Sequence, residues 1–363
     1  MGDAAWLDWT ALALGAVAVA ATALSRVRAR AWWVRVWDFP RVQVAALAAA
    51  ALGALALAHP VPGGAPAHAL TALVAFALAY QAALIWRYTR LARREVARAP
   101  APDPARTLSL VEANVLQTNR DAERVARVAA SADADVLLFV ETDAWWRDQL
   151  DAAFRPTHPH ALQCALPNTY GMLLYSRLPL ERTSVDFLVE DDVPSMQADV
   201  RLPGGRRVWL NAVHPRPPAP GESDSSLPRD AELLVVAARV RDRLLEAPDT
   251  PVVVFGDLND VAWSHTTRLF QKTSGLLDPR KGRGFISTFH ARWPGLRWPL
   301  DHVFFSPTFR LVTMRRLGYT GSDHFPVHLV VCLEPDAALD QAAPAADGAD
   351  LAEARDTVRE ARR

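Results

Sequence analysis

The sequence contains little cysteine and almost no lysine. Only 2 of its 363 residues are cysteine, and neither lies in a C-x-x-C or comparable metal-ligand spacing. This excludes a disulfide framework and a cysteine-based zinc site, and nothing in the sequence demands an oxidising compartment. Cys332 lies in the apolar run L-V-V-C-L and is predicted to be a buried thiol. The only lysines are Lys272 and Lys281, so arginine carries almost all of the positive charge.

The chain also lacks net charge, with 40 basic and 40 acidic residues. The arginine excess lies in the first hundred residues, whereas residues 106–333 carry no net positive charge. Proteins that bind nucleic acids usually present a basic surface. The charge distribution therefore argues against a nucleic-acid substrate, although a local arginine stripe would meet the same need.

Ionisable residues are missing from three long apolar stretches near the N-terminus. Residues 9–24, 42–58 and 68–86 contain no Lys, Arg, Asp or Glu, and each approaches the roughly 20 residues that cross a bilayer. Alanine-rich soluble helices are the alternative, and they fit the third stretch least well. We predict a membrane anchor over residues 1–98 with three transmembrane helices, at about 8–24, 42–58 and 68–86.

Arginine clusters flank these stretches asymmetrically. Residues 25–41 and 87–98 are rich in arginine, whereas residues 59–67 contain none. Loops that carry Lys and Arg remain in the cytoplasm. We therefore expect the chain after residue 87 to be cytoplasmic.

The rest of the chain divides by composition. Residues 99–105 read A-P-A-P-D-P-A, a linker in which a helix cannot continue. Residues 106–333 alternate between strand-like and helix-like patterns, with more strands than helices, which indicates an α/β sandwich. Residues 334–363 are rich in Ala and Asp, and we expect disorder or a short frayed helix there.

Polar residues recur at the ends of the predicted strands. The run V-V-V-F-G-D-L-N-D at 252–260 is one example. A single such ending is more often a turn than a site. Several together predict a functional site, because layered folds assemble sites at strand ends. The residues at these boundaries are Asn114, Glu141, His214, Asp257, Asn259, Asp301, Asp323 and His324.

The residue types fit metal-assisted phosphoryl chemistry. The oxygens of Glu141 and Asn114 suit Mg²⁺, which takes few protein ligands and keeps water and phosphate oxygens. A histidine beside a carboxylate suits a general base, and His214 could donate to a phosphate oxygen or leaving group. Asp257 and Asn259, two apart on an extended chain, are predicted to point the same way.

Six motifs together resemble the endonuclease/exonuclease/phosphatase superfamily, the fold of DNase I. They are E-A-N-V, F-V-E-T, N-A-V-H-P, G-D-L-N-D, L-D-H-V and G-S-D-H-F-P-V, and the resemblance spans roughly residues 107–333. It implies a four-layer α/β sandwich of two β-sheets flanked by helices. Membrane segments before such a domain are similar to a bacterial membrane-anchored subgroup, which implies the inner membrane of a bacterium.

The resemblance implies a metal site. Glu141 would be the main ligand of Mg²⁺, or of Mn²⁺, with help from Asn114, and Asp323 would hold metal or water. DNA-repair members often carry an aspartate two residues after the motif asparagine, where this chain has Leu116. The difference argues against a second metal ligand there and against repair activity.

The resemblance also implies catalytic roles. His324 would be the general base or a phosphate contact, oriented by Asp301. Asp257 and Asn259 would position the attacking water and the scissile phosphate, with His214 beside them. Either His324 or Asp257 could take the proton.

Three further residues are weaker candidates for substrate binding. Trp263 and His290 could line the cleft, although a packing role is at least as good an interpretation. Arg177 could reach a phosphate or form a surface salt bridge. His302, directly after Asp301, should point to the opposite face of its strand and play a core or surface role.

The leading hypothesis is a membrane-anchored, Mg²⁺-dependent hydrolase of a phosphodiester or phosphomonoester. Its substrate would be nucleic acid or a lipid headgroup, its other partner would be the lipid bilayer, and no protein partner can be inferred. A catalytically inactive, membrane-tethered binding module is the alternative. A transporter fits less well, because the apolar stretches contain no ionisable residue.

Overall fold

The structure is a computed structural model that describes residues 2–57 and 64–363, with side chains from residue 9 onward. Its helices are α1 (Gly2–Leu24), α2 (Trp32–Arg35), α3 (Arg41–Leu57), α4 (Gly64–Ile85), α5 (Ala122–Ala130), α6 (Ala144–Phe154), α7 (Leu227–Glu246), α8 (His265–Ser274) and α9 (Gly348–Ala361). Its strands are β1 (Thr107–Asn114), β2 (Val136–Val140), β3 (His160–Cys164), β4 (Met172–Ser176), β5 (Leu180–Phe187), β6 (Pro194–Arg201), β7 (Arg207–Val213), β8 (Val252–Asp257), β9 (Asp301–Phe305), β10 (Phe309–Arg316) and β11 (Val327–Leu333).

The strands form two mixed sheets. One has the order β10-β11-β1-β2-β4-β3 and the other β5-β6-β7-β8-β9. Each contains a single parallel pair, β1 with β2 and β7 with β8, and all other named neighbours are antiparallel. The carboxyl ends of parallel strands meet at one edge, so each sheet collects the ends of two neighbouring strands there.

The main core lies between the sheets and follows the alternation of the strands. In β1, Leu108 and Leu110 face the second sheet, whereas Val111 and Ala113 pack in the cluster that includes residues of α5 and α6. In β8, Phe255 faces the first sheet and Val254 packs with residues of α7 and α8. The predicted sandwich of two sheets flanked by helices is therefore confirmed.

The N-terminal segment forms helices at the three predicted places, but at most one or two of the described helices are suited to cross a membrane, not clearly three. Among the described residues, only Gly64–Tyr88 is long and apolar enough to cross a membrane by length and composition. A second span requires Trp32–Asp38 and Arg41–Leu57 to act together across a 67° bend, and Trp9–Leu24 is too short. Buried helices of soluble proteins pass the same test, so membrane insertion stays a prediction. Residues 58–63, within the predicted second loop, lie outside the described residues.

The three long N-terminal helices dock on the sandwich instead of being held apart from it by a free linker. The hydroxyl of Tyr88 donates to the carbonyl of Ala262 at 2.6 Å, and Lys281 pairs with Glu95 at 2.7 Å. The linker itself begins with the amide of Ala99 bonded to the β10 strand at 3.0 Å. Pairing with a strand edge fixes this proline-rich segment without requiring a helix.

The C-terminal segment forms the helix α9, where the sequence predicted disorder or a short frayed helix. Asp347 and Asp350 form a reciprocal capping box at the start of the helix. Ala354 is buried with residues of α7 and α8, and Lys272 of α8 pairs with Asp350 at 2.9 Å. The alanine-rich sequence forms a helix here because α7 and α8 provide a surface for it to pack against.

Glu232 of α7 predicts an unusual pH dependence of stability. Its carboxylate accepts a bond of 2.7 Å from the Ser195 hydroxyl, and burial raises its pKa from 4.5 to about 8. The folded state therefore keeps a proton that the unfolded state releases, and stability falls as pH rises from about 5 to about 8. We expect Glu232→Gln to remove roughly 4 kcal/mol of this fall in unfolding free energy.

Chemical denaturation at both pH values measures the difference. Glu246→Gln, at the exposed end of the same helix, is the matched control and should follow the wild-type pH dependence. Parallel wild-type and Glu232→Gln curves would show that the carboxyl is ionised in the folded protein.

Candidate active site

The ends of the two parallel pairs bring four predicted site residues together. Asn114 ends β1, Glu141 follows β2, His214 follows β7 and Asp257 ends β8. The side-chain amide of Asn114 donates to Glu141 at 2.7 Å and to Asp257 at 3.1 Å, which links the two sheets. Asn114, His214 and Asp257 are buried, and Glu141 is partly so. The site therefore lies between the sheets, at one end of the sandwich.

Gly256 allows the second pair to close at this edge. Its φ is +142°, and a β-carbon there would lie 2.0 Å from the carbonyl oxygen of Val213. Only glycine fits such a close approach of two backbones. The glycine of the G-D-x-N motif thus places Asp257 beside the end of β7, where His214 follows.

His324 lies between two aspartates. Its Nδ1 is 2.8 Å from Asp301 and its Nε2 is 3.5 Å from Asp257. The centre of its ring lies 4.9 Å from that of Phe289, with the two rings tilted by 48°. One ligand atom from each of Asp257, Asp301 and His324 lies within 4.8 Å of the others. The structure confirms the predicted contact between Asp301 and His324 and adds Asp257 as the second neighbour.

The charges of Asp301 and Asp257 determine the protonation of His324. Burial alone would lower the pKa of His324, but Asp301 and Asp257 raise it well above its usual value. Burial would likewise raise the pKa of Asp257, and the charges of His324 and His214 bring it below its usual value. The pair is therefore an imidazolium beside a carboxylate. His214 is different, because burial lowers its pKa.

Asn259 does not continue the strand, which corrects the expectation that it points the same way as Asp257. β8 ends at Asp257, and Asn259 adopts a φ of +51°. Its backbone amide donates to Asp257 at 2.9 Å, and its side chain donates to the Pro215 carbonyl at 3.0 Å. The buried Arg229 holds the carbonyl of Asn259 at 2.9 Å. The motif is thus a turn whose asparagine packs against the segment after His214.

The residues predicted to bind metal form a carboxylate-rich group. Glu141 accepts from Asn114 and, at 3.2 Å, from the backbone amide of Gln117. Burial raises the pKa of Glu141 to about 7, and the charge of Asp323 adds to this effect. A divalent cation would offset such a concentration of acidic groups, and carboxylate oxygens are its preferred ligands. The donor set therefore fits a hard metal ion.

Several buried polar atoms at the site have no hydrogen-bond partner among the described residues. They include Nδ1 of His214, Oδ1 of Asp301 and both carboxylate oxygens of Glu112. Such atoms usually find partners in folded proteins. A protonated Glu112 can donate to Asp301, so the Nδ1 of His214 is the atom that indicates a polar ligand or ion. Burial, with the charges of Asp301 and Asp257, raises the pKa of Glu112 well above its usual range.

Sequence reasoning missed Glu112, although a signal was present. It is the one charged residue within the apolar β1 run, two positions before Asn114 and hence on the same face. His302 was predicted to have a core or surface role, and the structure places it in the core. It is fully buried, contacts Arg280 at 2.7 Å and the Asp260 carbonyl at 2.8 Å, and burial lowers its pKa to about 3.

The three weaker candidates for substrate binding have different positions in the structure. Arg177 follows β4 at the opposite end of the strands and pairs with Asp133 at 2.6 Å, which matches the alternative of a surface salt bridge. Trp263 is 1% exposed and donates to the Asp38 carbonyl at 2.8 Å, which makes it a packing residue under the N-terminal helices. His290 is half-buried, directly before Ala291, whose amide bonds to Asp323 at 2.6 Å. It remains a candidate at the rim.

Solved structures share this architecture. A zebrafish (D. rerio) TDP2 complexed with a single-strand DNA product is 16% identical, covers 62% of this chain and 98% of its own, and has a TM-score of 0.51. An endonuclease/exonuclease/phosphatase from Bacteroides vulgatus is 16% identical, with 63% and 99% covered and a TM-score of 0.50. A functionally unknown conserved protein from Enterococcus faecalis V583 is 16% identical, with 62% and 100% covered and a TM-score of 0.51. At this identity the likeness shows the fold.

The match of the sequence to a family, and not the structural likeness, shows which family the chain belongs to. No curated protein matches the chain. The endonuclease/exonuclease/phosphatase family matches residues 111–324, which include every site residue from Asn114 to His324. The chain therefore belongs to the endonuclease/exonuclease/phosphatase family and is a metal-dependent hydrolase of phosphate ester bonds.

Proposed function

We propose that the protein hydrolyses a phosphodiester close to the surface of a membrane, with Mg²⁺ as its metal. The observation that carries the reaction is the contact of His324 with both Asp301 and Asp257, next to Glu141 and Asn114. The intact polar set argues against the alternative of an inactive binding module. A domain that only binds has no need of a buried imidazolium between two aspartates.

His324 and Asp257 have different roles in proton transfer. Asp301 fixes the Nδ1 side of His324 and leaves Nε2 directed toward Asp257. The imidazolium can donate to a phosphate oxygen, and the carboxylate of Asp257 can take a proton from water. His214, next to this pair, offers a second ring for the phosphate or the leaving group.

Glu141, Asn114 and Asp323 are the residues that would hold Mg²⁺. Mn²⁺ would bind to the same oxygen ligands. When bound, the ion neutralises charge on the phosphate and polarises its oxygens. Asn114 bridges Glu141 and Asp257 through its amide, so the metal group and the proton-transfer group share one residue.

Membrane attachment is supported by charge and by exposed aromatic residues. The arginine-rich segments 25–41 and 87–98 follow α1 and α4 on the side of the catalytic domain, which favours a cytoplasmic location at the inner membrane of a bacterium. Trp33 and Trp86 are 55% and 50% exposed near the same ends. Tryptophan favours the interface between bilayer and water.

A loop over residues 287–300 connects the site to this helical layer. Phe289 contacts His324, and the Gly295 carbonyl accepts from Gln43 in the first turn of α3 at 2.8 Å. Trp293 lies between Phe289 and Gly295 in the chain and is 62% exposed. Leu296 follows Gly295 and is 51% exposed. A membrane-proximal phosphodiester, such as a lipid headgroup, could reach the site past this loop. The absence of net positive charge makes nucleic acid the weaker candidate.

A paired substrate screen tests the proposal. Full-length protein in nanodiscs is assayed with Mg²⁺ or EDTA against phospholipid and sphingomyelin bilayers, single-stranded DNA and RNA. We expect Mg²⁺-dependent turnover of a lipid that Asp257→Ala abolishes. Turnover by Asp257→Ala at the wild-type rate would refute the assigned site, and turnover of nucleic acid alone would refute the lipid assignment.

Trp293→Ala separates membrane contact from chemistry. We expect it to lower the rate on a bilayer substrate by about tenfold, while hydrolysis of soluble bis(p-nitrophenyl) phosphate stays unchanged, because an interfacial tryptophan contributes only to docking. Trp209→Ala, on a strand of the second sheet away from the loop, is the control. Equal losses on both substrates would show that Trp293 supports the site instead.

A further inference from the structure

An arginine-lined cavity lies between the N-terminal helices and the outer helices of the sandwich, apart from the catalytic residues. Its volume is about 700 Å³, within the range of ligand-binding pockets. The walls come from the segment after α1, from α3 and α4, and from α7, α8 and α9. The basic residues that line it are Arg26, Arg28, Arg30, Arg35, Arg41 and Arg268.

The acidic residues of the cavity already have basic or hydrogen-bonding partners. Asp230 pairs with Arg229 at 2.7 Å, and His265 lies 2.6 Å from Glu353. Asp356 pairs with Arg359 at 3.2 Å. Asp38, the remaining acid, pairs with Arg41 and lies 3.5 Å from Arg35. Arg30 pairs with Glu360, which lies outside the cavity lining, so Arg26, Arg28 and Arg268 are the lining arginines that these acids do not compensate.

Three arginines lack an acidic partner within the part of the chain that the structure describes. Neither Arg26, Arg28 nor Arg268 lies within 4.0 Å of a carboxylate oxygen there. The guanidinium of Arg26 instead stacks on Tyr80, 5.0 Å from the ring centroid. Partial burial and the charge of Arg41 lower the pKa of Arg268. Three arginines that line one cavity without an acidic partner favour an anionic ligand there.

Buried side chains that are hydrogen-bonded to one another form the back of the cavity. Arg41 is 2% exposed and is held by Ser25 at 3.3 Å and by Gln81 at 3.1 Å. Gln81 in turn donates to Thr22 at 3.0 Å, so three helices fix one guanidinium. The Nε of Arg41 has no hydrogen-bond partner among the described residues, and neither has the Nε of Arg35. The cavity therefore has a buried, hydrogen-bonded guanidinium at its back.

From this geometry we infer that the cavity is a binding site for a phosphate group. Arginine guanidinium groups bind phosphate oxygens in pairs of parallel hydrogen bonds. The cavity opens where α1 ends, α3 begins and α4 approaches its end, which is the level of lipid headgroups if these helices enter a bilayer. Basic pockets at such helix ends bind the headgroups of acidic lipids. A soluble phosphate compound has the same chemistry.

Two binding measurements distinguish these sources. The full chain in detergent is titrated with inorganic phosphate by calorimetry, and the full chain in phosphatidylcholine nanodiscs with or without phosphatidic acid is analysed for retained lipid by native mass spectrometry. Both use EDTA and monitor no turnover, so the result is independent of the proposed catalytic function. Phosphatidic acid is chosen because it contains a phosphate monoester.

The test variant is Arg26→Gln/Arg268→Gln, which removes two exposed and unpaired charges from the cavity rim. The control is Arg127→Gln/Arg206→Gln, which removes two exposed arginines outside the cavity. We expect the test variant to bind phosphate or phosphatidic acid at least about tenfold more weakly, because paired guanidinium–phosphate contacts are lost. The control should bind as the wild type does.

Each outcome decides the inference. Selective loss in the phosphatidic acid arm supports a lipid headgroup, and selective loss in the phosphate arm supports a soluble ligand. Equal binding by the test and control variants would overturn the site, as would the absence of binding in both arms. Thermal unfolding of all variants confirms that the charge changes leave the fold intact.

Discussion

His324→Gln is expected to lower kcat by about 10²–10⁴, the contribution of a positioned proton-transfer group. The ring of His324 contacts both Asp301 and Asp257, at 2.8 and 3.5 Å. Its loss removes the imidazolium and leaves two buried carboxylates without their positive neighbour. The measurement is kcat on the substrate found in the screen, or on bis(p-nitrophenyl) phosphate.

His160→Gln is the matched control, because His160 lies on the edge strand β3 at the far side of the first sheet. It should retain the wild-type rate. A His324→Gln protein that folds, as shown by an unchanged thermal midpoint, and keeps wild-type kcat would contradict the catalytic assignment. Asp301→Asn should cause a smaller loss, since the ring remains but its orientation and charge are less well supported.

Glu141→Gln is expected to reduce activity at saturating Mg²⁺ on the order of 10³, and EDTA should reduce the wild type to background. A metal acting as a Lewis acid supplies several kcal/mol of stabilisation to the transition state, and each 1.36 kcal/mol is about tenfold in rate. The substitution removes one negative charge at the bond to Asn114. Activity measured across a Mg²⁺ titration should also show a weaker apparent metal affinity.

Glu232→Gln removes a buried carboxyl outside the site and provides the control for this experiment. Its Mg²⁺ dependence should match that of the wild type. If Glu141→Gln retained both the wild-type rate and the wild-type metal affinity, the metal would have to be held elsewhere. The cluster of Asp257, Asp301 and His324 would then be the first alternative, because its ligand atoms lie within 4.8 Å of one another.

The site was largely predictable from sequence because strand periodicity is local. Alternation along β1 and β8 places Asn114 and Asp257 on the faces that meet between the sheets, and motif order relates His324 to Asp301. Asn259 was misjudged because its positive φ depends on the turn after β8 and on contacts with Pro215 and Arg229. Glu112 was missed because its significance comes from Asp301, 189 positions later in the chain.

The structures at both ends of the chain depend on one physical property that the sequence does not show. Apolar composition predicts burial but does not say whether lipid or protein provides it. The three N-terminal helices share an interior around Ala48 and Val74, and Trp263 and Tyr88 pack where they meet the sandwich. Likewise α9 is stable because α7 and α8 cover its apolar side. Neither partner surface can be identified from a local window.

The sequence alone determined the family, the strand-end chemistry and the α/β architecture, because motifs and periodicity are short-range properties. Tertiary structure decided which carboxylates contact His324, that Arg177 lies at the opposite end of the strands, and that arginines from opposite ends of the chain line one cavity. Arg26 and Arg268 belong to segments 242 positions apart. Their charges act on a common ligand only because folding brings α8 against the end of α1.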